Sequence, residues 1–433
     1  MMDSERWKGA SGLAGQPKRL LFYSHGTMGL GHLRRTLLIC EGLCANFQNL
    51  SSLIVTGSAM AHGFRMSPGI DYVKLPSVTK LDNEIYESRS LALTFQEIWK
   101  LREQILLQTT LNYKPDFFFV DNVPLGMRGE ARRALAYIKD HLPNTRVFLV
   151  LRDILDSSSS IVPCWQESSM FEAIDHFYDR IFICGLPVIF DPVAEYQFPE
   201  SIRRKTSFGG YIARPFDDES ARRVRQQFCP HGEKLVVVTV GGGSDGADVV
   251  ENFLSALPKV CRETSVVSAV LLGPEMDPKI ARRLKSGRPD GYPITFMDFH
   301  EDAVPYLAAA DLVVSMAGYN TISEILYLRK KALVIPRIWP RTEQLIRSRR
   351  LQELGLLKML HPGNLDSSTL AKKMIEGLNS PGIRQIFLKF DAIDNLTAEL
   401  ETMIPRPSES DSFRLEESKA QNYTHTSRGS GSL

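Results

Sequence analysis

Short apolar runs alternate with longer stretches of helical spacing along most of the chain. "RLLFYS", "SLIVTG", "DYVKLP", "DFFFVD", "RVFLVLR" and "RIFICG" read as strands, with helix-length segments between most of them. Runs buried on both faces and separated by helices belong to a parallel sheet. Around residues 208 to 218 the text turns to "FGGYIARPFDD", rich in Gly and Pro and followed by charge, which marks a linker. The alternation then restarts with "KLVVVTVGGG", "SAVLLG", "YPITFMDF", "DLVVSMAG" and "ALVIPR". The pattern predicts an α/β protein of two doubly wound, Rossmann-like domains facing a cleft. Ile386, Phe390, Ile393, Thr397 and Leu400 recur at spacings of three and four, predicting a final amphipathic helix.

The expected organisation is a flexible N-terminus over 1–18 and a first domain over 19–212. A second domain over 213–383, a helix over 384–403 and a disordered polar tail over 404–433 follow. A length of 433 residues suits two cores better than one. A formal net charge of only +2 gives no excess of positive charge to draw the chain onto nucleic acid, so no nucleic-acid partner is expected. The six cysteines form no CxxC pair, which points away from a zinc site and from a disulfide framework. No apolar run approaches the roughly 18 residues of a spanning helix and no secretory signal opens the chain. The expectation is a cytoplasmic protein, with room for peripheral membrane contact. The amphipathic stretch "TFQEIWKLREQILLQTTL", with Lys100 and Arg102, could touch a membrane surface, although packing on its own sheet is the preferred reading.

Chemistry in such sheets is sought in loops that follow strands. The first is "SHGTMGLGHLRR" at 24 to 35. It lacks the Lys-Ser/Thr ending of a phosphate loop. Gly26, Gly29 and Gly31 resemble a dinucleotide loop, but the next strand, "LIVTG", ends without an acidic residue to hold a ribose. A third reading uses His32 itself. It stands in the first turn of a helix whose buried face is Leu33, Leu37, Cys40 and Cys44, where the helix terminus keeps an imidazole neutral, as a general base requires. Gly31 beside it lets a substrate approach.

With His32 in place the sequence resembles the GT-B glycosyltransferases, particularly glycosyltransferase family 28, whose first loop has a GGxGGH pattern. Here the loop reads Gly26-Thr27-Met28-Gly29-Leu30-Gly31-His32, with a leucine between the last two glycines. The resemblance implies a GT-B fold with a C-terminal helix crossing back to the first domain, and it implies that His32 deprotonates an acceptor hydroxyl. "VTVGGGSDGA" at 238 to 247 resembles the loop that meets the donor diphosphate, giving Gly242, Gly243 and Ser244 that role. "ADLVVSMAGYNTISEI" at 310 to 325 is similar to the family's most specific motif: Gly318 permits close approach, Asn320 or Thr321 caps the helix, and Glu324 accepts from the ribose hydroxyls. In "ALVIPRIWPRTEQLIRSRRLQELG" at 332 to 355, Glu343 and Gln344 correspond to residues that contact the donor sugar. Arg337, Arg341 and Arg347 could face phosphate or simply line a solvated helix. Phe299 and His300 occupy the place where the base is read, which implies uridine.

In the first domain Asp121, Asn122, Arg152 and Asp153 fall at strand ends facing the presumed cleft. They could bind the acceptor or orient His32; Asp153 is a candidate catalytic carboxylate, and a structural salt bridge between Arg152 and Asp153 or a neighbour is the competing role. The expected function is inverting, metal-independent sugar transfer from a nucleoside-diphosphate donor, UDP-linked, to a lipid, glycan or small-molecule acceptor, with no cofactor. One rival is a hydrolase, because "GLGHLRR" also resembles the GxGHxxR loop of the UDP-sugar hydrolase of pseudaminic acid biosynthesis, which shares Arg34. The other is a nucleotide-sugar-binding protein without turnover.

Overall fold

The computed structural model of the chain describes residues 17–26, 30–47, 49–82, 85–382 and 386–403. Apart from Pro17 and Lys18, the anticipated N-terminal segment lies outside the described residues, as do the tail over 404–433 and Gly29 of the first loop.

The strand-like runs of the first half become β1 (Lys18–Ser24), β2 (Leu50–Thr56), β3 (Ile70–Lys74), β6 (Phe117–Asp121), β7 (Arg146–Arg152), β8 (Arg180–Cys184) and β9 (Thr206–Phe208). They form one parallel sheet in the order β3-β2-β1-β6-β7-β8-β9. β6, "FFFVD", is buried at every position because helices cover both faces of the sheet. Between β3 and β6 lies an antiparallel pair, β4 (Val78–Asp82) and β5 (Ile85–Ser88), which the apolar pattern did not predict. The second half gives β10 (Lys234–Thr239), β11 (Val266–Leu271), β12 (Ile294–Met297), β13 (Leu312–Ser315), β14 (Ala332–Val334) and β15 (Lys358–Met359). This sheet is also parallel, ordered β12-β11-β10-β13-β14-β15.

Both sheets are wound the same way. Chain that has built one edge returns to place β6 beside β1, and likewise β13 beside β10. Helices leave in opposite directions at such a reversal and open a crevice beyond the strand ends. The protein therefore has two crevices, and they face each other across one cleft.

The halves are joined through Gly209 and Gly210 to a helix over Asp218–Phe228, capped by the Asp217 carboxylate on the N–H groups of Glu219 and Ser220. The last helix is Ala392–Met403 and it packs on the first half: Asn395 Nδ2 donates to Gly209 O at 2.9 Å, and Ser207 Oγ donates to Glu399 at 2.8 Å. A helical start at 384 is therefore corrected to 392. Ile386 and Phe390 do pack on the core, but through extended backbone, since Tyr211 N–H donates to Lys389 O at 3.1 Å and Ile212 bridges Asp391. An extended segment meets a spacing of four as well as a helix does.

Residues 94–111 pack on the first sheet, the preferred of the two readings. They form the helix Phe95–Tyr113, opened by a Thr94–Glu97 capping box. Arg102 is fully buried, paired with Glu130 at 2.7 Å and donating to Pro76 O and His25 O. No described helix is long and apolar enough to cross a membrane.

Candidate active site

His32 is the second residue of the helix Gly31–Asn46 that follows β1. Its Nδ1 lies 2.5 Å from Asp121 Oδ2 at the carboxyl end of β6. Asp121 is fully buried, and its other oxygen is held by Arg35 of the same helix. Burial by itself would raise the Asp121 pKa; Arg35 and His32 outweigh it and hold the carboxyl well below the usual range. Asp121 is thus a fixed anion. It accepts a hydrogen bond from Nδ1–H of a neutral His32 and leaves Nε2 as the basic nitrogen. The His32 pKa is lowered, chiefly by burial, with Asp121 pulling it back up and Arg35 and Arg152 pushing it further down. His32 is therefore neutral at pH 7. Of the two roles left open for Asp121, binding the acceptor or orienting His32, the contact with His32 Nδ1 fits the second.

The sequence did not flag Arg35 or His25. Arg35 stands three positions after His32, the spacing that puts two residues on one helix face, and this was a usable signal. His25 is buried with its ring 4.6 Å from the His32 ring, and its Nδ1 has no partner. His25, His32 and Asp121 bring ligand-type atoms within 4.8 Å of one another. The charges around them oppose a cation, since Arg35 occupies Asp121 and both Arg102 and Arg341 act on His25.

The other wall comes from loops after β10 and β13. Gly242 and Ser244 line the cleft, whereas the Gly243 N–H is turned to Val240 O at 3.2 Å, which corrects its assignment to the diphosphate. At Gly243 the backbone φ is +94°, and an added Cβ would sit 2.2 Å from Leu272 O, so the glycine is there for close packing of two loops. Gly318 ends the β13 loop at φ −63° with open space where a Cβ would be, at the start of the helix Tyr319–Tyr327. Asn320 and Thr321 line the cleft but cap nothing; Asn320 Nδ2 reaches across to Gly31 O at 3.2 Å. Glu324 is buried at the cleft, its pKa raised by burial and partly restored by Arg34 and Arg214, the latter 3.7 Å away.

Glu343 and Gln344 are buried at the cleft wall. Glu343 Oε1 accepts from Arg337 at 2.8 Å while Oε2 has no partner. Gln344 Oε1 accepts from the Ala317 and Arg337 N–H groups, both at 3.1 Å, which ties the β13 and β14 loops together. His300 is exposed at the rim, where its Nδ1 accepts from the Asp302 N–H at 3.2 Å. Asn122 is buried with φ +63°, and its Oδ1 faces the Arg152 N–H at 3.4 Å.

Asp153 is not a cleft carboxylate, which corrects its catalytic assignment and the Arg152–Asp153 salt bridge. It is fully buried and takes Arg347 Nη2 at 2.6 Å, Arg347 Nε at 2.9 Å and Tyr211 Oη at 2.9 Å. Arg347 is likewise fully buried. With both oxygens occupied, Asp153 has no lone pair placed to receive a substrate proton; it is a tie between the halves.

Residues 236–381 match the family model described as the glycosyltransferase family 28 C-terminal domain. A UDP-N-acetylglucosamine–N-acetylmuramyl-(pentapeptide) pyrophosphoryl-undecaprenol N-acetylglucosamine transferase of Bacillus thuringiensis is 28% identical over 172 residues, 38% of this chain and 47% of that protein. The chain thus matches about half the length of this curated relative. Among solved structures, CalG4, the calicheamicin glycosyltransferase, superposes with a TM-score of 0.56 at 12% identity, over 96% of this chain and 100% of its own. A putative UDP-N-acetylglucosamine 2-epimerase from Listeria monocytogenes superposes at 0.57 with 11% identity, covering 90% and 97%. The fold is GT-B, and the second half carries the family 28 similarity.

Proposed function

We propose that the protein is a glycosyltransferase that moves a sugar from a UDP-linked donor to an acceptor hydroxyl, with inversion and without a metal ion. The observation that carries the reading is one cleft in which Asp121-held His32 faces the Gly242–Ser244 loop and Glu324. The family 28 similarity of the second half supports a transferase over an epimerase, a choice the fold alone leaves open. The relative's name, a UDP-N-acetylglucosamine-dependent transferase, supports the UDP donor.

In this mechanism Glu324 accepts from both ribose hydroxyls, which a carboxylate with two oxygens does well. The loop of Gly242 and Ser244 presents N–H groups and a hydroxyl to the diphosphate. His32 Nε2 removes the acceptor's hydroxyl proton as that oxygen bonds to the anomeric carbon, and the bond to the diphosphate breaks from the opposite face. Attack opposite the leaving group inverts the carbon. The charge developing on the departing diphosphate meets the loop amides and the Ser244 hydroxyl already in place, so a metal is not required.

For the acceptor, the relative's name suggests a lipid-linked saccharide. Ile85, Leu91 and Leu93 are exposed in the segment that also carries Tyr86 of the cleft lining, and this suits an acceptor with an apolar part or peripheral contact with a lipid surface.

The test is UDP release from UDP-sugars with and without an acceptor library, in the presence of EDTA. Acceptor-dependent release that survives EDTA supports the proposal. Release without acceptor would make the protein a hydrolase, isomerised donor without release would make it an epimerase, and loss of activity in EDTA would overturn metal independence.

A further inference from the structure

Arg34, Arg35, Arg152, Arg337 and Arg341 all line the cleft. Three of them are committed to protein groups. Arg35 pairs with Asp121. Arg337 pairs with Asp245 at 3.1 Å and Glu343 at 2.8 Å. Arg34 donates to Glu301 O at 2.7 Å and has the Glu324 carboxylate beside it.

Arg152 and Arg341 differ. Among the described residues neither has a carboxylate within ion-pair distance, and neither guanidinium donates a hydrogen bond to the protein. Arg152 follows the sheet to the end of β7 in the first half, and its Nε is buried without a partner. Arg341 stands in the loop before the helix Glu343–Glu353 of the second half. The two repel each other: the Arg152 pKa is lowered to about 10, chiefly by burial, with Glu343 pulling it back up and Arg341, Arg35 and Arg347 pushing it further down. Glu343 offsets part of this repulsion, but its one hydrogen-bonded oxygen is held by Arg337 and it makes no ion pair with Arg152 or Arg341.

Half-buried like charges from two domains, aimed at one space, are unfavourable until an anion enters. Their position says where that anion sits. Arg152 N–H meets Asn122 Oδ1, next in the chain to the Asp121 that holds His32, and the Arg341 loop is tied to the first half by Thr342 N–H donating to Asp156 at 2.9 Å, so the pair lies on the His32 side of the cleft. The donor diphosphate belongs at the opposite wall, with Gly242 and Ser244.

We infer that Arg152 and Arg341 form a subsite for an oxyanion, a carboxylate or phosphate, carried by the substrate next to the reacting centre and separate from the donor diphosphate. The inference rests on the donor-site reading above. The anion has two sources: an acidic transferred sugar such as a uronic acid, or an anionic substituent on the acceptor. A guanidinium from each half also means that the anion is gripped fully only when both walls are in place, so it selects substrate and geometry together.

Titration calorimetry at fixed ionic strength distinguishes these sources, using wild type, Arg152→Gln and Arg341→Gln with UDP, UDP-glucose and UDP-glucuronic acid. If the sugar carries the anion, wild type binds UDP-glucuronic acid at least about tenfold tighter than UDP-glucose, and each variant loses that preference while keeping its affinity for UDP. If the acceptor carries it, the three donors bind alike, and the UDP complex binds glucose 6-phosphate in wild type but in neither variant. Retained UDP binding also reports that the variants are folded. The inference is overturned if neither anion binds in an arginine-dependent way, or if the variants weaken UDP as much as the anionic ligands, which would return both arginines to the diphosphate. Failure of wild type to bind UDP counts against the proposed function instead. The subsite is then judged with inorganic phosphate, whose arginine-dependent binding supports it and whose absence overturns it.

Discussion

At the scale of single residues, the site depends on which nitrogen of His32 carries the proton. Asp121 fixes that choice from 89 residues away in sequence, and Arg35 fixes Asp121. Replacing His32 with Ala should lower kcat by about 10²–10⁴-fold with little change in donor affinity, since the base acts on the acceptor. Asp121→Asn frees the wrong tautomer and should cost a similar factor on the plateau. The two variants differ in pH dependence. The rate of wild type should fall as pH drops through the lowered His32 pKa, below 6.5. Asp121 raises that pKa, so Asp121→Asn should move the acid limb of kcat/KM to still lower pH. An unmoved or upward-shifted limb would show that His32 is not the titrating base. His32 was legible in the sequence because a glycine loop announces itself locally. Its partner was not identified as such, because a carboxylate at a strand end looks the same whether it meets a substrate, a histidine or an arginine.

At the scale of elements, each glycine loop has a split role that spacing alone does not reveal. Gly243 and Gly318 both looked like sites of ligand approach, yet one packs against backbone and the other faces open space. Gly243→Ala should destabilise the protein by more than the roughly 1 kcal/mol of a simple backbone strain, because its Cβ meets Leu272 O at 2.2 Å and the φ of +94° is itself unfavourable. Gly318→Ala should leave thermal stability unchanged and act on donor affinity alone. Equal losses of stability in the two variants would refute the distinction. The strands of both sheets were readable because parallel strands buried on two faces are continuous apolar runs. The β4–β5 pair was missed because both strands are short and mix polar with apolar residues, so neither carries an apolar run. The last helix starts eight residues later than the spacing predicts, because Ile386 and Phe390 pack half-buried on the core through extended chain.

At the scale of the whole molecule, the halves are joined through charges buried beneath the cleft. Arg35 of the first half lies 5.4 Å from the centre of the Tyr319 ring of the second half, and Arg347 lies 6.0 Å from the same ring. Arg347 in turn holds Asp153 of the first half, while Tyr211 of the linker donates to the same carboxylate. The run Asp121–Arg35–Tyr319–Arg347–Asp153 therefore crosses between the halves twice and ends, on one side, at the carboxylate that orients His32. Removing only the cation, as in Arg347→Met, leaves Asp153 charged and buried with Tyr211 and a backbone N–H for partners. Such uncompensated burial costs about 3–5 kcal/mol, far more than a surface pair. Adding Asp153→Asn removes the stranded charge while keeping the shape, so the double variant should be more stable than Arg347→Met in urea unfolding. A double variant no more stable than the single would mean that packing of the Arg347 side chain, not its charge, joins the halves. Because the tie reaches the base through Arg35 and Tyr319, Arg347→Met should also weaken kcat more than it weakens UDP binding.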